Sequence, residues 1–111
     1  MELTWYGAQT ILGDAMRTVV EGDFEWDSAK AESNLEKHGV SFPEAATVFA
    51  DPMAVYLDDG TGTGNMVVIG TSLRERLLYV VHVERGQRDR IISARTATAT
   101  ERTVYGSGGS T

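Results

Sequence analysis

The spacing of hydrophobic residues changes about halfway along the chain. Up to residue 51, apolar positions are interrupted by polar residues typical of helix starts and stops, which favours helices. From residue 53 to residue 94, short runs rich in Val, Ile and Tyr are separated by polar and glycine-rich stretches, which favours strands. The pattern therefore predicts helices first and a sheet afterwards.

Two helices are marked by their terminal residues. Asp27 is a suitable N-cap for a helix over Ser28–His38, and Gly39 supplies the left-handed residue that ends it. The segment Ser41-Phe42-Pro43-Glu44 has the spacing of a capping box with proline in the first turn, so it predicts a second helix. Asp51-Pro52 ends that helix.

Four strands are predicted in the second half, over residues 53–57, 66–70, 77–83 and 90–94. Their connections are too short for helical crossovers, so consecutive strands must be antiparallel. A further edge strand over residues 24–26 precedes the first helix, and the capping box Thr98-Ala99-Thr100-Glu101 begins a short terminal helix. The sequence thus predicts an α+β domain: an antiparallel sheet with two N-terminal helices packed on one face and a short C-terminal helix, the other face being partly open.

A chain of 111 residues suits a single domain, which we place at residues 23–105. Residues 1–22 are predicted to be an N-terminal appendage, and residues 106–111 a disordered Gly/Ser tail. The appendage contains Glu2 and Asp14 and is broken by glycines, so it resembles neither a signal peptide nor a membrane span. Together with the absence of cysteine, this favours a cytoplasmic protein.

Charge is distributed unequally between the two halves of the chain. Residues 1–59 contain three basic residues against twelve acidic ones, a net charge of −9, whereas residues 60–111 contain seven arginines against four acidic residues, a net charge of +3. The overall charge of −6 argues against nucleic-acid binding. The local excess of arginine argues for recognition of phosphate or carboxylate, because a guanidinium group binds either one through two hydrogen bonds. The alternative is an arginine face that pairs with the acidic half of the chain itself.

Two sets of residues stand out as a combined signature over residues 24–105. The first set is Phe24-Glu25-Trp26-Asp27, Lys30, Asn34, Lys37-His38-Gly39-Val40-Ser41-Phe42, Glu44-Ala45, Val48-Phe49 and Asp51-Pro52. The second set is Ile69-Gly70, Arg76-Leu77-Leu78, Val80-Val81, Glu84-Arg85, Arg90-Ile91-Ile92-Ser93-Ala94-Arg95, Ala97, Glu101-Arg102 and Tyr105. In order and spacing, the two sets resemble the BrnT family of ribonuclease toxins. The runs at residues 37–42 and 90–95 are specific in combination, whereas neither alone would be.

The resemblance implies a RelE/ParE-like fold and a ribonuclease that arrests growth by cutting RNA. It also implies a BrnA-like antitoxin with a ribbon-helix-helix part, through which the complex would reach operator DNA. Neither a cofactor nor a metal is expected. The loop Gly60-Thr61-Gly62-Thr63-Gly64 lacks the lysine of a phosphate-binding loop, and two distant histidines without a carboxylate cluster argue against a zinc site.

RNA cleavage without a metal needs a base for the 2′-hydroxyl, cations for the phosphate and an acid for the leaving oxygen. Arg76, Arg90 and Arg95 flank adjacent predicted strands, so we expect them to converge on the open face as phosphate clamps. Arg90 and Arg95 are an odd number of residues apart. A regular strand would therefore place them on opposite faces, unless a bulge or the strand end intervenes.

The candidates for proton transfer are His38, His82, Glu84 and Tyr105. His82 and Tyr105 complete the predicted catalytic set with the three arginines. His82 shares strand parity with Arg76, although a buried sheet residue is the alternative, and Tyr105 either stacks on a base or packs in the core. The predicted RNA-binding residues are Lys30, Lys37, His38, Arg74, Arg85 and Arg102. The alternatives are solvent exposure for the lysines and a favourable charge at a helix end for His38.

Departures from the family pattern lower the expected affinity for RNA. Family members commonly carry basic residues where this chain has Thr96, Thr98, Ala99 and Thr100, and an arginine entering the strand that here begins at Asn65-Met66. Each lost phosphate contact weakens RNA binding and makes its salt dependence shallower, so activity is attenuated or lost. Two alternatives therefore stay open: a non-catalytic module that binds the antitoxin and regulates the operon, and a toxin that acts on a protein target.

Overall fold

The computed structural model describes residues 17–109 of the chain. Strands and helices alternate in the order β1 (Thr18–Glu21), β2 (Phe24–Asp27), α1 (Ser28–His38), α2 (Phe42–Ala46), a 3-10 helix (Thr47–Ala50), β3 (Val55–Asp58), β4 (Met66–Thr71), β5 (Leu77–Arg85), β6 (Arg88–Thr96) and α3 (Ala99–Gly106). The domain is α+β, as predicted, with three α-helices among the described residues.

The six strands form one sheet in the order β1-β2-β6-β5-β4-β3. Strands β3 to β6 are the predicted antiparallel meander. Strand β2, however, pairs with β6 in parallel, with Phe24 opposite Asp89 and Glu25 opposite Arg90. The sheet is therefore mixed, and the prediction of a purely antiparallel sheet is wrong. No short turn joins β2 to β6, so the local sequence does not set their relative direction.

The N-terminal boundary of the sheet lies earlier than predicted. Strand β1 pairs with β2 around Gly22, whose φ of 60° suits the tight turn between them. Residues 18–21 thus belong to the sheet, β2 is an internal strand rather than an edge, and the helices follow two strands. At the other end, α3 continues to Gly106 and closes with a hydrogen-bonded turn, where a disordered tail was predicted. Residues 1–16, 110 and 111 of the predicted appendage and tail lie outside the described residues.

The helix ends follow the local sequence signals. The carboxylate of Asp27 accepts a hydrogen bond from the amide of Lys30 at 2.9 Å, and Gly39 adopts the left-handed conformation after α1. Ser41 caps α2, and Thr98 and Glu101 form both halves of the capping box of α3. The second helix is shorter than predicted, because after Ala46 the chain tightens into the 3-10 helix.

The two faces of the sheet carry separate apolar clusters. On one face, Phe42 and Val48 of the helical segment pack on Val80 and Ala94 of the sheet. On the opposite face, Val104 and Tyr105 of α3 pack on Val67, Ile69 and Leu77. Helix α3 therefore lies across the sheet from α1 and α2. It covers only part of the second face.

Asn34 of α1 binds the free edge of β6. Its Nδ2 donates to the carbonyl oxygen of Ala94 at 2.7 Å and to that of Val40 at 3.0 Å, and its Oδ1 accepts from the amide of Ala94 at 3.1 Å. Strand β2 pairs with β6 only at Asp89 and Arg90. Beyond those residues, the buried amide of Asn34 satisfies backbone groups that a neighbouring strand would otherwise satisfy.

Candidate functional site

Each of the three arginines predicted as phosphate clamps is bound to a carboxylate. Arg76 donates from Nε and Nη2 to Glu44 at 2.9 and 2.5 Å, and from Nη2 to the carbonyl oxygen of Gly39 at 3.0 Å. Arg90 donates to Glu25 at 2.7 Å. Two carboxylate oxygens of Glu101 accept from Arg95 at 2.8 and 2.9 Å, and the guanidinium carbon of Arg95 lies 4.0 Å from the centre of the Tyr79 ring. The structure thus pairs these arginines with the acidic residues of the chain.

The three arginines do not converge on one patch. Arg76 contacts Glu44 of α2, on the face that α1 and α2 cover. Arg95 lies opposite Tyr79 of β5 and Arg90 opposite Val83, and a bulge at Val81/His82 brings both arginines to the other face. Four residues of β5 separate these two positions, roughly 13 Å. The three arginines therefore do not form the expected triple clamp: Arg76 is held at Glu44 on one face, and Arg90 and Arg95 are held apart from each other on the other face.

One cleft does bring together three of the predicted site residues: Arg76, Arg102 and Tyr105. It has a volume of about 450 Å³ and lies where β4 ends and β5 begins, with Thr71, Glu75, Leu77 and Thr96 completing its lining. Arg102 is exposed, and its side chain has no hydrogen bond or ion pair within residues 17–109. The Arg76 side chain is one-third exposed despite its ion pair, with a relative accessibility of 33%. Both guanidinium groups are available to an anion in the cleft.

Tyr105 is anchored by a chain of hydrogen bonds at the wall of this cleft. Its hydroxyl accepts from Oγ1 of Thr71 at 3.2 Å and donates to Oδ2 of Asp51 at 2.7 Å. The bond from Thr71 lowers the pKa of Tyr105, but the bond to Asp51, burial and the Asp51 charge outweigh it and raise the pKa above its ordinary value. The phenol therefore keeps its proton at neutral pH.

Asp51 is held as a carboxylate by the same network. Burial raises the pKa of Asp51, yet hydrogen bonds from the amide of Thr71, the phenol of Tyr105 and the amide of Met53 lower it below its ordinary value. The amide of Thr71 donates to Oδ2 at 2.8 Å. One anionic oxygen thus fixes both the end of β4 and the position of Tyr105.

Glu44 and Arg76 form a pair in which only the arginine reaches solvent. The Arg76 guanidinium holds the pKa of Glu44 below its ordinary value against the opposing effect of burial, and the hydroxyl of Ser72 adds a hydrogen bond of 2.7 Å. The Glu44 side chain is only 4% exposed. A buried carboxylate of this kind depends on its cation for solvation.

Replacing Arg76 with leucine is expected to lower the free energy of unfolding at pH 7 by about 2–3 kcal/mol, less than for a fully buried pair because Arg76 is partly solvated. Since the folded-state pKa of Glu44 is lowered, the stabilisation is fully present above the ordinary carboxyl pKa. It is lost as pH falls through the lowered value. Urea unfolding should therefore show the gap between wild type and Arg76→Leu shrinking below about pH 4.

The matched control for that experiment is Arg74→Leu. Arg74 lies 3.9 Å from Glu44 with a side chain 74% exposed, so its loss is expected to cost at most about 0.5 kcal/mol. Equal costs for the two substitutions, or a gap that does not change with pH, would contradict this description of the pair.

Lys30, Lys37 and His38, all predicted to bind RNA, line one groove between α1 and β6. The groove has a volume of about 210 Å³, and Ile92 and Ser93 form its β6 side. All three cationic or titratable side chains are exposed. Two other predicted RNA-binding residues lie apart from this groove: Arg74 near Glu44, and Arg85 at 3.9 Å from Glu25.

His82 and Glu84 lie away from the arginine cleft, towards the other end of β5. They line a cavity of about 730 Å³ together with Phe49, Tyr56 and Asp89. Nδ1 of His82 is 3.0 Å from Oδ1 of Asp89, and its ring stands edge-on to that of Phe49 with centroids 4.8 Å apart. Its Nε2 is buried without a hydrogen-bond partner in the part of the chain described. The structure therefore does not bring His82 together with Arg76, with which it shares strand parity.

The sequence reasoning missed Glu75, which lines the cleft, and Asp51, which holds Tyr105 at its wall. Glu75 has a φ of 64°, and it is the only non-glycine residue with positive φ between residues 17 and 109. Its exposed carboxylate lines the cleft beside Arg76. A tight connection of five residues between two strands was the signal for such a turn. Nothing in the local sequence links Asp51 to Tyr105, which lies 54 positions later.

Residues 17–109 contain no group of three or more His, Asp or Glu side chains placed to hold a metal ion. No helix in the same part of the chain is long and apolar enough to cross a membrane.

Comparison with known proteins identifies the family. Residues 26–101 match the model of the ribonuclease toxin BrnT of type II toxin-antitoxin systems, so the chain belongs to the BrnT toxin family. The fold is similar to the 1.1 Å crystal structure of the Brucella abortus ribonuclease toxin BrnT, with a TM-score of 0.54 and 24% identity. That alignment covers 66% of this chain and 92% of the Brucella chain. No curated protein matches the sequence.

Proposed function

We propose that this BrnT-family protein is a metal-independent endoribonuclease toxin, and that the cleft of Arg76, Arg102 and Tyr105 is its active site. The observation that carries the proposal is the meeting of two solvent-accessible guanidinium groups, a protonated phenol and a carboxylate around one concavity. These are the cation, acid and base that transesterification of RNA requires. The ribonuclease description of the family supports the same chemistry.

Each side chain of the cleft has its own role in the reaction. Arg76 and Arg102 bind the non-bridging oxygens of the scissile phosphate, where negative charge grows in the transition state. Glu75 takes the proton of the 2′-hydroxyl, and the 2′-oxygen bonds to phosphorus. The bond from phosphorus to the 5′-oxygen breaks, and that oxygen receives the phenol proton of Tyr105. The products are a 2′,3′-cyclic phosphate and a 5′-hydroxyl, and proton exchange with water restores both side chains.

The biological role that accompanies this activity is growth arrest in the cytoplasm, relieved by a BrnA-like antitoxin that carries the operator-binding part of the complex. Expression of the chain with and without a candidate antitoxin tests it. Growth arrest with RNA cleavage, relieved by the antitoxin, is expected. Growth without arrest would favour the non-catalytic module, and arrest with intact RNA would favour a toxin that acts on a protein.

Replacing Tyr105 with phenylalanine is expected to slow RNA cleavage about 10- to 100-fold, because the leaving oxygen loses its proton donor. The ring and its packing against the sheet are kept, and the amide of Thr71 still binds Asp51. Initial rates on an end-labelled single-stranded RNA in EDTA measure the effect. The log rate of the wild type should fall as pH rises through the raised pKa of Tyr105, and the Phe variant should lack that limb.

His82 is the alternative proton-transfer residue, because Asp89 holds one ring nitrogen and the other has no partner within residues 17–109. The described residues that line its cavity include no arginine or lysine to neutralise a phosphate. We expect His82→Gln to change stability rather than the rate of the folded fraction. A rate loss in His82→Gln greater than that in Tyr105→Phe, at equal folded fraction, would move the active site to His82.

A further inference from the structure

Three concavities follow one another along β6, and each carries cationic side chains. Thr96 at the end of β6 lines the cleft with Arg76 and Arg102. Ser93 lines the groove with Lys37 and His38. Arg90 lines a third hollow, of about 430 Å³, with Lys30 and Arg17. Arg90 and Thr96 are six positions apart along the strand, roughly 20 Å, so the three hollows form a row of that length.

The first two hollows lie on either side of the end of α1. Arg76 of the first donates a hydrogen bond of 3.0 Å to the carbonyl oxygen of Gly39, the residue after His38 of the second. The second and third hollows share Lys30. Cationic residues therefore follow the whole row, which we call the β6 track.

Helix α1 separates its charges in a way that favours this track. Lys30 and Lys37 are seven residues apart, nearly two full turns, so they lie on the same side of the helix about 10 Å from each other. Glu32 and Glu36 lie on the other side, where with Leu35 they line a hollow that adjoins the track at Ser33. Neither lysine has a hydrogen bond or ion pair through its side chain among the described residues. A helix stabilised by its own surface ion pairs would mix these charges instead.

Apart from Glu75, the proposed base in the cleft, the acidic residues at the track are neutralised. Glu44 is bound to Arg76, Glu25 to Arg90, and Asp27 to Arg17 at 3.3 Å. Among the described residues, the unpaired charges outside that carboxylate, on Lys30, Lys37 and Arg102, are positive. The track thus presents a row of free cations on a protein whose net charge is −6, which suits a linear polyanion.

We propose that the β6 track binds the RNA strand on one side of the scissile phosphate, so that the substrate is an extended single strand several nucleotides long. The inference rests on the proposed function, since the cleft fixes which phosphate is cut and the track fixes the chain beside it. A single strand follows a row of phosphate-binding side chains in a groove, and its unpaired nucleotides are free to enter the cleft. The two lysines supply two phosphate contacts beyond the cleft.

The test uses the full chain and a fluorescent twelve-nucleotide RNA methylated at every 2′-oxygen, which binds without being cut. Fluorescence anisotropy at rising KCl compares wild type with Lys30→Gln/Lys37→Gln. Two lost contacts should raise Kd roughly tenfold and make the slope of log affinity against log salt shallower by about 1.4, at about 0.7 per single-strand phosphate. Circular dichroism checks that the variant is folded, as expected for two exposed lysines.

The matched control is Glu32→Gln/Glu36→Gln, on the opposite side of the same helix. Its Kd is expected to stay within about twofold of the wild-type value, because those residues do not line the track. Equal and opposite changes in the two variants would mean that net charge alone governs binding, which would overturn the track. An unchanged Kd and slope for the lysine variant would overturn it as well.

Cleavage assays separate the track from the active site. A dinucleotide occupies only the cleft, so wild type and the lysine variant should cut it at the same rate, whereas the unmodified twelve-nucleotide RNA should be cut more slowly by the variant at low RNA concentration. If the wild type cuts neither RNA but the binding results hold, the track stands and the active site falls. If poly-glutamate binding, and not RNA binding, depends on the lysines, the track belongs to a protein partner and the proposal falls.

Discussion

Replacing Arg102 with alanine is expected to slow RNA cleavage by about 100- to 1,000-fold, the usual cost of losing one preorganised donor to a transition-state oxyanion. Arg102 is exposed on α3 and has no carboxylate partner within residues 17–109, so its charge is free for the phosphate. For the same reason the free energy of unfolding should change by less than about 0.5 kcal/mol. The effect should appear in kcat/KM measured on single-stranded RNA in EDTA.

The control for Arg102 is Arg88→Ala. Arg88 is also exposed and unpaired in the described part of the chain, but it lies at the opposite end of β6, beside the hairpin from β5. The Arg88→Ala variant should cut RNA at close to the wild-type rate, because Arg88 does not line the cleft and Arg102 does. Each substitution removes one unit of positive charge, so the two variants are matched in net charge. Equal losses in the two variants would reduce the role of Arg102 to general electrostatic attraction.

Replacing Asn34 with alanine is expected to lower the free energy of unfolding by about 3–4 kcal/mol. The substitution leaves the amide and carbonyl of Ala94 and the carbonyl of Val40 buried without their partner, and each unsatisfied group costs about 1–3 kcal/mol before relaxation. Urea unfolding measures the loss. Hydrogen exchange at the amide of Ala94 should accelerate by more than exchange in the β4–β5 ladder.

Two further variants define the role of Asn34. Ser33→Ala, at an exposed neighbouring position of α1, should change stability by less than about 0.5 kcal/mol. Asn34→Asp keeps an acceptor for the amide of Ala94 but places a carboxylate against two carbonyl oxygens, so it should destabilise at least as much as alanine. An aspartate variant as stable as wild type would contradict the proposed hydrogen-bond roles.

The elements predicted correctly from sequence depend on local interactions. Asp27 and Thr98 cap helices through bonds to amides three residues away, and Gly39 ends α1 through its own backbone conformation. Strands β3 to β6 form an antiparallel meander, because the connections between them are too short for the crossover that a parallel pair needs. The parallel pairing of β2 with β6 joins distant segments, so no local pattern defines it.

The candidate site was harder to predict, because the local sequence around an arginine does not indicate which carboxylate it will pair with. Arg76 and Glu44 are 32 positions apart, and Arg90 and Glu25 are 65 positions apart, yet each pair is in direct contact. Strand alternation alone would place Arg90 and Arg95 on opposite faces. The bulge between Val81 and His82 shifts the register, so that both arginines lie on the same face. The sequence predicted Arg76, Arg102 and Tyr105 among its candidate site residues, but only the fold places them around one cleft and leaves Arg95 outside it.

The most direct test of the active-site assignment is the proton–nitrogen correlation spectrum of the full chain titrated with the fully 2′-methylated RNA. The account predicts the largest shifts at the amides of Thr71, Thr96 and Arg102, which line the cleft, and small shifts at Gly86 and Arg88 in the β5–β6 hairpin. Shifts concentrated in that hairpin or around His82, with the cleft amides unmoved, would contradict it.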